Sequence, residues 1–382
     1  MDRRYVLFMT KALRGFIYGV FSVIIFIYLI NNNISAPYAG LIVTLSIVLN
    51  SLITFFITSN YGDGYSKEIL IIFSILLAIG TTGLVFVQGG LFKALFSIIG
   101  ALGVNPSDNT IFSSYEQPLI SKIIEKQHKK NIIFSYYTLS GYIASSIGAA
   151  SLYFGLKYSL QISVIFSILT ILLYFFIPHI EGRKRIIKEQ IKEKSKRTAR
   201  DVSLLFSMDA IGGGFVLQSL IALWFKIRYH LNISQLGLIF FVVDIIIAVS
   251  IFITPAISKR IGLIRTMVYS HLPSNIFLIL IPIFPNVYVS LLLLFMRQSL
   301  SQMDVPTRQS YLNSIVDKDD RSYVVGVSNA SRSIAQSSTP YISSYLISLA
   351  ASSIPFIAGG SIKIAYDLLL FNRFRRENEK YD

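Results

Sequence analysis

The feature that most constrains this chain is a series of apolar runs, each about twenty residues long, that recurs from one end to the other. They lie near residues 12–30, 37–58, 69–88, 91–113, 132–154, 158–178, 203–225, 234–257, 266–284, 287–312, 323–349 and 353–371. A helix of about 20 apolar residues crosses the hydrocarbon of a bilayer, whereas a barrel strand needs only about ten alternating ones. In hydrocarbon a backbone must satisfy its own hydrogen bonds, which a helix does. The expected fold is an all-α membrane protein with twelve transmembrane helices. Composition agrees: only 14% of the 382 residues are charged and 53% are hydrophobic, against roughly 25% charged in a soluble domain. This excludes an ordinary water-soluble enzyme, a disordered chain and a disulfide-knit secreted domain. The chain has no cysteine, so disulfides, thiolate metal sites and cysteine nucleophiles are all ruled out.

The net charge of +15 is concentrated in certain connections. Arg3, Arg4 and Lys11 precede or open the first run, and Lys67 follows the second. Lys122, Lys126, Lys129 and Lys130 follow the fourth; Lys259, Arg260 and Arg265 the eighth; Lys318 and Arg321 the tenth; Arg373, Arg375, Arg376 and Lys380 the twelfth. The opposite connections are short and nearly uncharged, with Lys93, Lys157, Lys226 and Arg228 as exceptions. Positive-inside bias therefore puts a multi-pass protein in the cell membrane with both termini cytoplasmic. The first run is longer than a signal core and is followed by Asn31-Asn32-Asn33, so it reads as a retained helix. No basic stripe interleaved with stacking aromatics occurs, which argues against nucleic acid as a partner. The segment His179–Asp201 is strongly basic and reads as a solvated linker touching anionic lipid headgroups, with a regulatory or partner-binding role as the other reading.

The chain also repeats itself. Shifted by 192 residues, Glu116-Gln117 falls on Arg308-Gln309, and Ile123-Ile124-Glu125-Lys126 on Ile315-Val316-Asp317-Lys318. Lys129 then meets Arg321, and Ile132-Ile133 meets Val324-Val325. Two parallel six-helix bundles follow, residues 1–178 and 203–382, joined by a basic linker at 179–202. This arrangement resembles the major facilitator superfamily of secondary transporters. The family's signature loop after the second helix is matched in part by Asp63-Gly64-Tyr65-Ser66-Lys67-Glu68, and its second copy by Lys259-Arg260-Ile261-Gly262. The tract from Asp209 to Ser338, with Gly212-Gly213-Gly214 and Met303-Asp304-Val305-Pro306, is similar to uncharacterised prokaryotic members. The Gly-Pro pattern of antiporter fifth helices is missing, since Ala149 follows Gly148.

Polar residues inside the apolar runs supply the candidate site, because an ionisable group at bilayer depth persists only where it meets water, a partner or a substrate. Arg297, Ser301, Asp304 and Arg308 fall on one face of the tenth run at helical spacing. Asn105, Asn109 and Glu116 hold the repeat-related places of Arg297, Ser301 and Arg308 on the fourth. The two stripes read as walls of one water-filled cavity; for Asp304 and Arg308 the other reading is mutual neutralisation at i,i+4. The resemblance puts helices one, four, seven and ten around the cavity. It thus favours Arg297 as a substrate contact, with Ser301, Asn105, Asn109, Arg332, Asp244 and Tyr18 as further candidates. Arg332 and Asp244 have a second reading as a pair, and Tyr18 as a packing residue. Asp304, Asp108 and Asp209 are the proton-coupling candidates. Asp63, Glu116, Arg308, Lys259 and Arg260 are candidate gate residues. His271 reads as a hydrogen-bonded structural histidine, with a proton relay as the other reading; Lys363 as snorkelling or packed against a carbonyl, with a site role as the other reading; Trp224 as an interface-belt or packing residue; and Gly212-Gly213-Gly214 as close helix packing or a hinge.

Without a P-loop, HExxH, GxSxG or metal-ligand cluster, no enzymatic activity, metal or cofactor is expected. The resemblance implies alternating-access transport of a small organic solute by a monomer embedded in lipid and coupled to protons or another ion. Export of an organic anion or amphiphile suits the excess of buried cations. Uptake of a small carboxylate or sugar is the alternative, and a non-transporting sensor or assembly protein of the same fold is a third reading.

Overall fold

The computed structural model describes residues 3–60, 65–102, 111–123, 127–177, 193–316, 321–349 and 352–378, and among these the regular structure is helical throughout. The first seven helices are α1 (Arg3–Asn31), α2 (Ala36–Asn60), α3 (Ser66–Phe86), α4 (Gly90–Ile99), α5 (Ile111–Ile123), α6 (Gln127–Ser151) and α7 (Leu156–Phe175). Then come α8 (Glu193–Phe215), α9 (Gln218–Tyr229), α10 (Ile233–Ile261), α11 (Leu263–Leu280), α12 (Val287–Ser301) and α13 (Asp304–Ile315). The last three are α14 (Arg321–Ser337), α15 (Pro340–Ser348) and α16 (Ile354–Asn378). Among the described residues seven segments are long and apolar enough to cross a membrane, including α1, α2, α3, α7, α10 and α16.

The twelve expected runs thus correspond to sixteen helices among the described residues, because four runs are interrupted. The fourth becomes α4 and α5, with α4 ending where Gly100 and Ala101 turn away, Ala101 at a φ of 45°. The seventh becomes α8 and α9, parting just after Gly212-Gly213-Gly214, where helix propensity is lowest. The tenth becomes α12 and α13. Pro306 then sits in the first turn of α13, where its missing N–H has no helical partner to lose, rather than kinking a continuous helix. The eleventh becomes α14 and α15, with Pro340 opening α15.

Carbonyls freed at such breaks need donors when no water is at hand. Near the α14–α15 break, Ser343 supplies one to the end of α8, and Thr339 adds a second donor one turn earlier in that helix. Thr339 Oγ1 donates to the Ile211 carbonyl at 3.1 Å, and Ser343 Oγ donates to that of Phe215 at 2.6 Å. The Gly212 triplet serves the same junction. A Cβ on Gly214 would lie 2.2 Å from both the Gln336 carbonyl oxygen and Thr339 Oγ1.

The helices pack into two compact units, one of Met1–Ile187 with Leu217–Ile245 and one of Lys188–Val216 with Ile246–Asp382. In the first unit α1 is central. Of its apolar stretch 89% is buried inside the protein, against 22% for α2. α1 is thus core, while α2 leaves Leu41, Leu45, Leu49, Leu52 and Phe56 exposed on the outside of the protein. Glycines let α1 touch α6 backbone to backbone. A Cβ on Gly15 would lie 2.5 Å from the Gly141 carbonyl oxygen, one on Gly19 would lie 2.0 Å from that of Ser145, and one on Gly148 would lie 2.2 Å from that of Phe16. Small residues at such crossings let membrane helices approach where no hydrophobic drive exists. In the second unit α8 packs on α14 and α16, and α11 on α12, α13 and α16.

This packing gives a matched test. Gly19→Val forces backbone apart and is expected to lower thermal stability in detergent by at least about 1–3 kcal/mol. Gly326→Ala, on α14 with nothing within 4 Å of the added carbon, is expected to match or slightly exceed the wild type.

Candidate functional site

The second unit holds a continuous network of buried charges centred on Asp209. α8 carries this residue inward, and Gly212, one turn on, makes room for its main partner. A Cβ at Gly212 would meet Lys363 Cγ at 2.7 Å. Lys363 Nζ, from α16, lies 2.7 Å from the Asp209 carboxylate. Arg332 Nη2, from α14, lies at 3.2 Å, Arg308 Nη1, from α13, at 3.5 Å, and His271 Nε2, from α11, at 3.6 Å. The network runs on through His271 Nδ1 to Asp367 at 2.8 Å, whose other oxygen accepts from Asn275 Nδ2 at 2.9 Å. Arg308 is also paired with Asp304 at 2.6 Å. A charged side chain at the centre of a membrane helix costs roughly 2.5–3.5 kcal/mol on insertion scales, and partners on several helices offset part of that cost.

Four cations (Arg297, Arg308, Arg332 and Lys363) stand against three acids (Asp209, Asp304 and Asp367), apart from His271. Arg297 is the cation in excess. On α12 it is 7% exposed, and among the described residues its buried Nε has no hydrogen-bond acceptor. Its carbonyl accepts from Ser274 Oγ at 3.2 Å, and its guanidinium is within electrostatic reach of Asp209. Arg332 Nε likewise lacks an acceptor among the described residues. Ser301, beside Arg297, is buried and donates to Gln298 Oε1 at 2.8 Å. The polar face of the tenth run is thus interior, but it is divided between α12 and α13 at Gln302 and Met303.

Several expectations change. Lys363 does not snorkel to the surface but is the nearest ion-pair partner of Asp209. Asp244 and Arg332 do not pair: Arg332 turns to Asp209, and Asp244 bonds to Ser145 and Gln218. His271 is hydrogen-bonded as a structural histidine would be, yet it also links two acids. Tyr18 is 1% exposed and Trp224 fully buried, whereas Lys259 and Arg260 are exposed at the end of α10. Asp63, Asn105, Asp108 and Asn109 lie outside the described residues. Lys93, an exception to the loop-charge pattern, is an interior group with Nζ 2.7 Å from the Tyr28 hydroxyl.

The first unit has its own buried charge, Glu116 on α5. Arg14 of α1 grips it with both nitrogens, Nη2 at 2.5 Å and Nη1 at 3.1 Å. Thr10 and Tyr174 donate to Oε1 at 2.8 and 2.7 Å, and Tyr137 donates to Oε2. Every acceptor site of this carboxylate is filled. The internal repeat extends to this cluster. The same shift of 192 residues carries Arg14 onto Phe206, Phe112 onto Asp304, Glu116 onto Arg308 and Tyr174 onto Tyr366. In the first unit the Arg14 guanidinium lies 4.3 Å from the Phe112 ring centre, and in the second that of Arg308 lies 5.4 Å from Phe206. Four equivalent positions build a cation–acid–aromatic cluster in each unit, with the roles permuted.

A model of the Major Facilitator Superfamily matches residues 7–296 and, a second time, 204–381. The chain belongs to the major facilitator superfamily. An uncharacterized membrane protein of Saccharomyces cerevisiae is 22% identical over 417 residues, covering 96% of this chain and 92% of its own. Among solved structures, a POT family transporter in complex with a conjugated peptide superposes with a TM-score of 0.77 at 13% identity, covering 98% of this chain and 96% of its own. A variant of the nucleoside transporter NupG superposes at 0.75 and 12%, covering 97% and 99%. Such identities establish the fold: a multi-pass, all-α membrane protein of transporter type.

Within this superfamily member, sequence reasoning undervalued Lys363, Asp367 and Asn275, and passed over Arg14 and Gln218. The available signal for Lys363 was spacing: Gly212 stands three residues from Asp209, and Gly359 four residues from Lys363, so each charge is followed or preceded by a gap on its own helix face. Asp209→Asn removes the shared counter-charge and is expected to destabilise the solubilised protein by about 3–5 kcal/mol. Adding Lys363→Met is expected to restore a large part of that loss, read as thermal unfolding by size-exclusion recovery.

Proposed function

We propose that this superfamily member is a secondary transporter that moves a small organic anion by alternating access, with a proton as the coupling ion. On this reading it lies in the cell membrane with both termini cytoplasmic. The halves 1–178 and 203–382, tethered by the basic segment 179–202, exchange access during the cycle. The observation that carries the substrate class is Arg297: a guanidinium buried beside the Asp209 network, its Nε without an acceptor among the described residues, where four cations stand against three acids apart from His271. A carboxylate or phosphate supplies what such a group lacks, a bidentate acceptor of opposite charge. Arg332, with its own unsatisfied Nε, is a second donor for the same anion, and Ser301 and Gln298 offer neutral hydrogen bonds beside Arg297. Carriers of peptides and nucleosides share the fold, so the fold supports carriage without selecting the solute.

The test is a thermal-shift panel of organic acids, sugars and amphiphiles on purified protein, followed by flux in proteoliposomes. Binding of the best acid is expected to weaken about 10–150-fold in Arg297→Ala, the worth of one hydrogen-bonded charge contact. Arg297→Lys keeps the charge without the fork, so it is expected to recover only part. A panel whose best ligand is uncharged, or whose acid ignores both substitutions, overturns the assignment.

A further inference from the structure

Five acids are buried among the described residues: Glu116, Asp209, Asp244, Asp304 and Asp367. Four of them sit against Arg, Lys or His. Asp244 does not. It is fully buried near the middle of α10, in the first unit, where its Oδ2 accepts from Ser145 Oγ of α6 at 2.5 Å. Its Oδ1 takes a longer contact of 3.4 Å from Gln218 Nε2 of α9. The same Gln218 nitrogen donates to Ser22 Oγ of α1 at 3.1 Å. One carboxyl thus ties together four helices through neutral groups alone.

Among the described residues, Asp244 has no charged partner. On α1 the nearest charged residue along the helix is Arg14, eight residues and about 12 Å from Ser22, and it is committed to Glu116. On α9 it is Lys226, an equal distance past Gln218. On α6 it is Lys130, about 22 Å along the helix from Ser145, and on α10 Lys259, about as far from Asp244. Tyr18 and Tyr142, one turn from Ser22 and Ser145, are buried phenols. α10 also meets α12, where Ser250 Oγ donates to the Ser299 carbonyl at 2.8 Å; the charged residue of α12, Arg297, lies in the other unit within reach of Asp209. The contact is also tight. A Cβ on Gly237 of α10 would lie 2.5 Å from the Ala149 carbonyl oxygen of α6, and one on Gly19 of α1 would lie 2.0 Å from that of Ser145.

We propose that Asp244 is a proton-binding site that governs the contact of α9 and α10 with α1 and α6. With the proton on, the side chain is neutral, shares a hydrogen bond with the Ser145 hydroxyl and accepts from Gln218 Nε2, and the contact holds. With the proton lost to bulk water, an uncompensated charge is left in a buried four-helix junction, and the contact must part to hydrate it. No other bond is made or broken. The inference deepens the transport reading by naming where the coupling proton acts. It differs from coupling at Asp209 or Asp304, which keep cations beside them in the second unit.

The chain carries its own reporter. Its single tryptophan, Trp224, is fully buried on α9, six residues and about 9 Å from Gln218, with edge contacts to Phe225 and Tyr229. In nanodiscs, without any solute, raising the pH from about 5 to 9 is expected to shift Trp224 emission reversibly to the red, with increased acrylamide quenching, as a single-proton titration. Asp244→Asn, which keeps the shape and hydrogen bonding of the acid form, is expected to give the low-pH spectrum at every pH. Ser145→Ala removes one hydrogen bond to the carboxyl and is expected to move the midpoint, which keeps the test alive if Asp244→Asn does not fold. A wild type with no transition, a transition retained in Asp244→Asn, or a midpoint unmoved in Ser145→Ala overturns the proposal. Because the readout needs no transport, a protein that carries no solute can still pass, so the two readings fail separately.

Discussion

Lys363 Nζ lies 2.7 Å from the Asp209 carboxylate, and much of the second unit is arranged to allow that distance. The lysine stem crosses α8 only because residue 212 has no side chain, and the glycine triplet that provides this gap also weakens α8 enough to end it. The break then requires a donor at the end of α8, and α14 breaks in its turn at Thr339 and Pro340, where Ser343 meets the Phe215 carbonyl and Thr339 that of Ile211 one turn earlier. One buried ion pair and two helix breaks therefore belong to a single solution. In water these features could have arisen separately, since solvent would hydrate the lysine and the loose carbonyls alike. In hydrocarbon each must be met by protein.

The same demand explains how the buried acids differ. Glu116 is saturated, gripped by a two-pronged arginine and three hydroxyls, and little in its neighbourhood could change without exposing a charge. Asp209 is oversupplied, sharing its two oxygens among Lys363, Arg332, Arg308 and His271. Oversupply leaves cations able to engage something else, and Arg297 has no carboxylate in ion-pair range among the described residues. A saturated cluster suits a fixed anchor within one unit; an unbalanced one suits a group that must bind and release an anion.

The helical, membrane-spanning character was legible because it depends on apolar length alone, a property each segment displays by itself. Where a run bends or parts was less legible. Pro306 and Pro340 stand at similar depths in their runs, yet whether a proline kinks a helix or opens a new one depends on which neighbour satisfies the freed groups. The polar face of Arg297, Ser301, Asp304 and Arg308 was visible from spacing, since it lies along one continuous stretch of sequence. Lys363 with Asp209, or Gln218 with Asp244 and Ser22, was not. Those partners are separated by 154, 26 and 196 residues, and no local period connects them. Arg14 escaped notice for a related reason: inside a long apolar run a single cation reads as the run's edge until its partner is known.

The repeat shows why charge identity was a poor guide to the symmetry of the site. Residue types match after the shift of 192 at Gln117 and Gln309, along 123–126 and 315–318, and at 129, 132 and 133 with 321, 324 and 325. The cluster on either side keeps its positions but permutes its chemistry. Arginine moves from 14 to 308, the acid from 116 to 304, and the aromatic face from 112 to 206. A low-dielectric interior constrains the sum of charges in a cluster and the presence of a ring to stack on, and is indifferent to which helix brings which member. Duplicated bundles can therefore drift by exchanging roles among neighbouring positions, provided that each exchange keeps the cluster neutral. The tyrosines at 174 and 366 stayed in place on both sides. The two units answer one physical requirement with differently ordered residues, which leaves the Arg14–Glu116 pair sealed and Arg308 free to share Asp209 as well as Asp304.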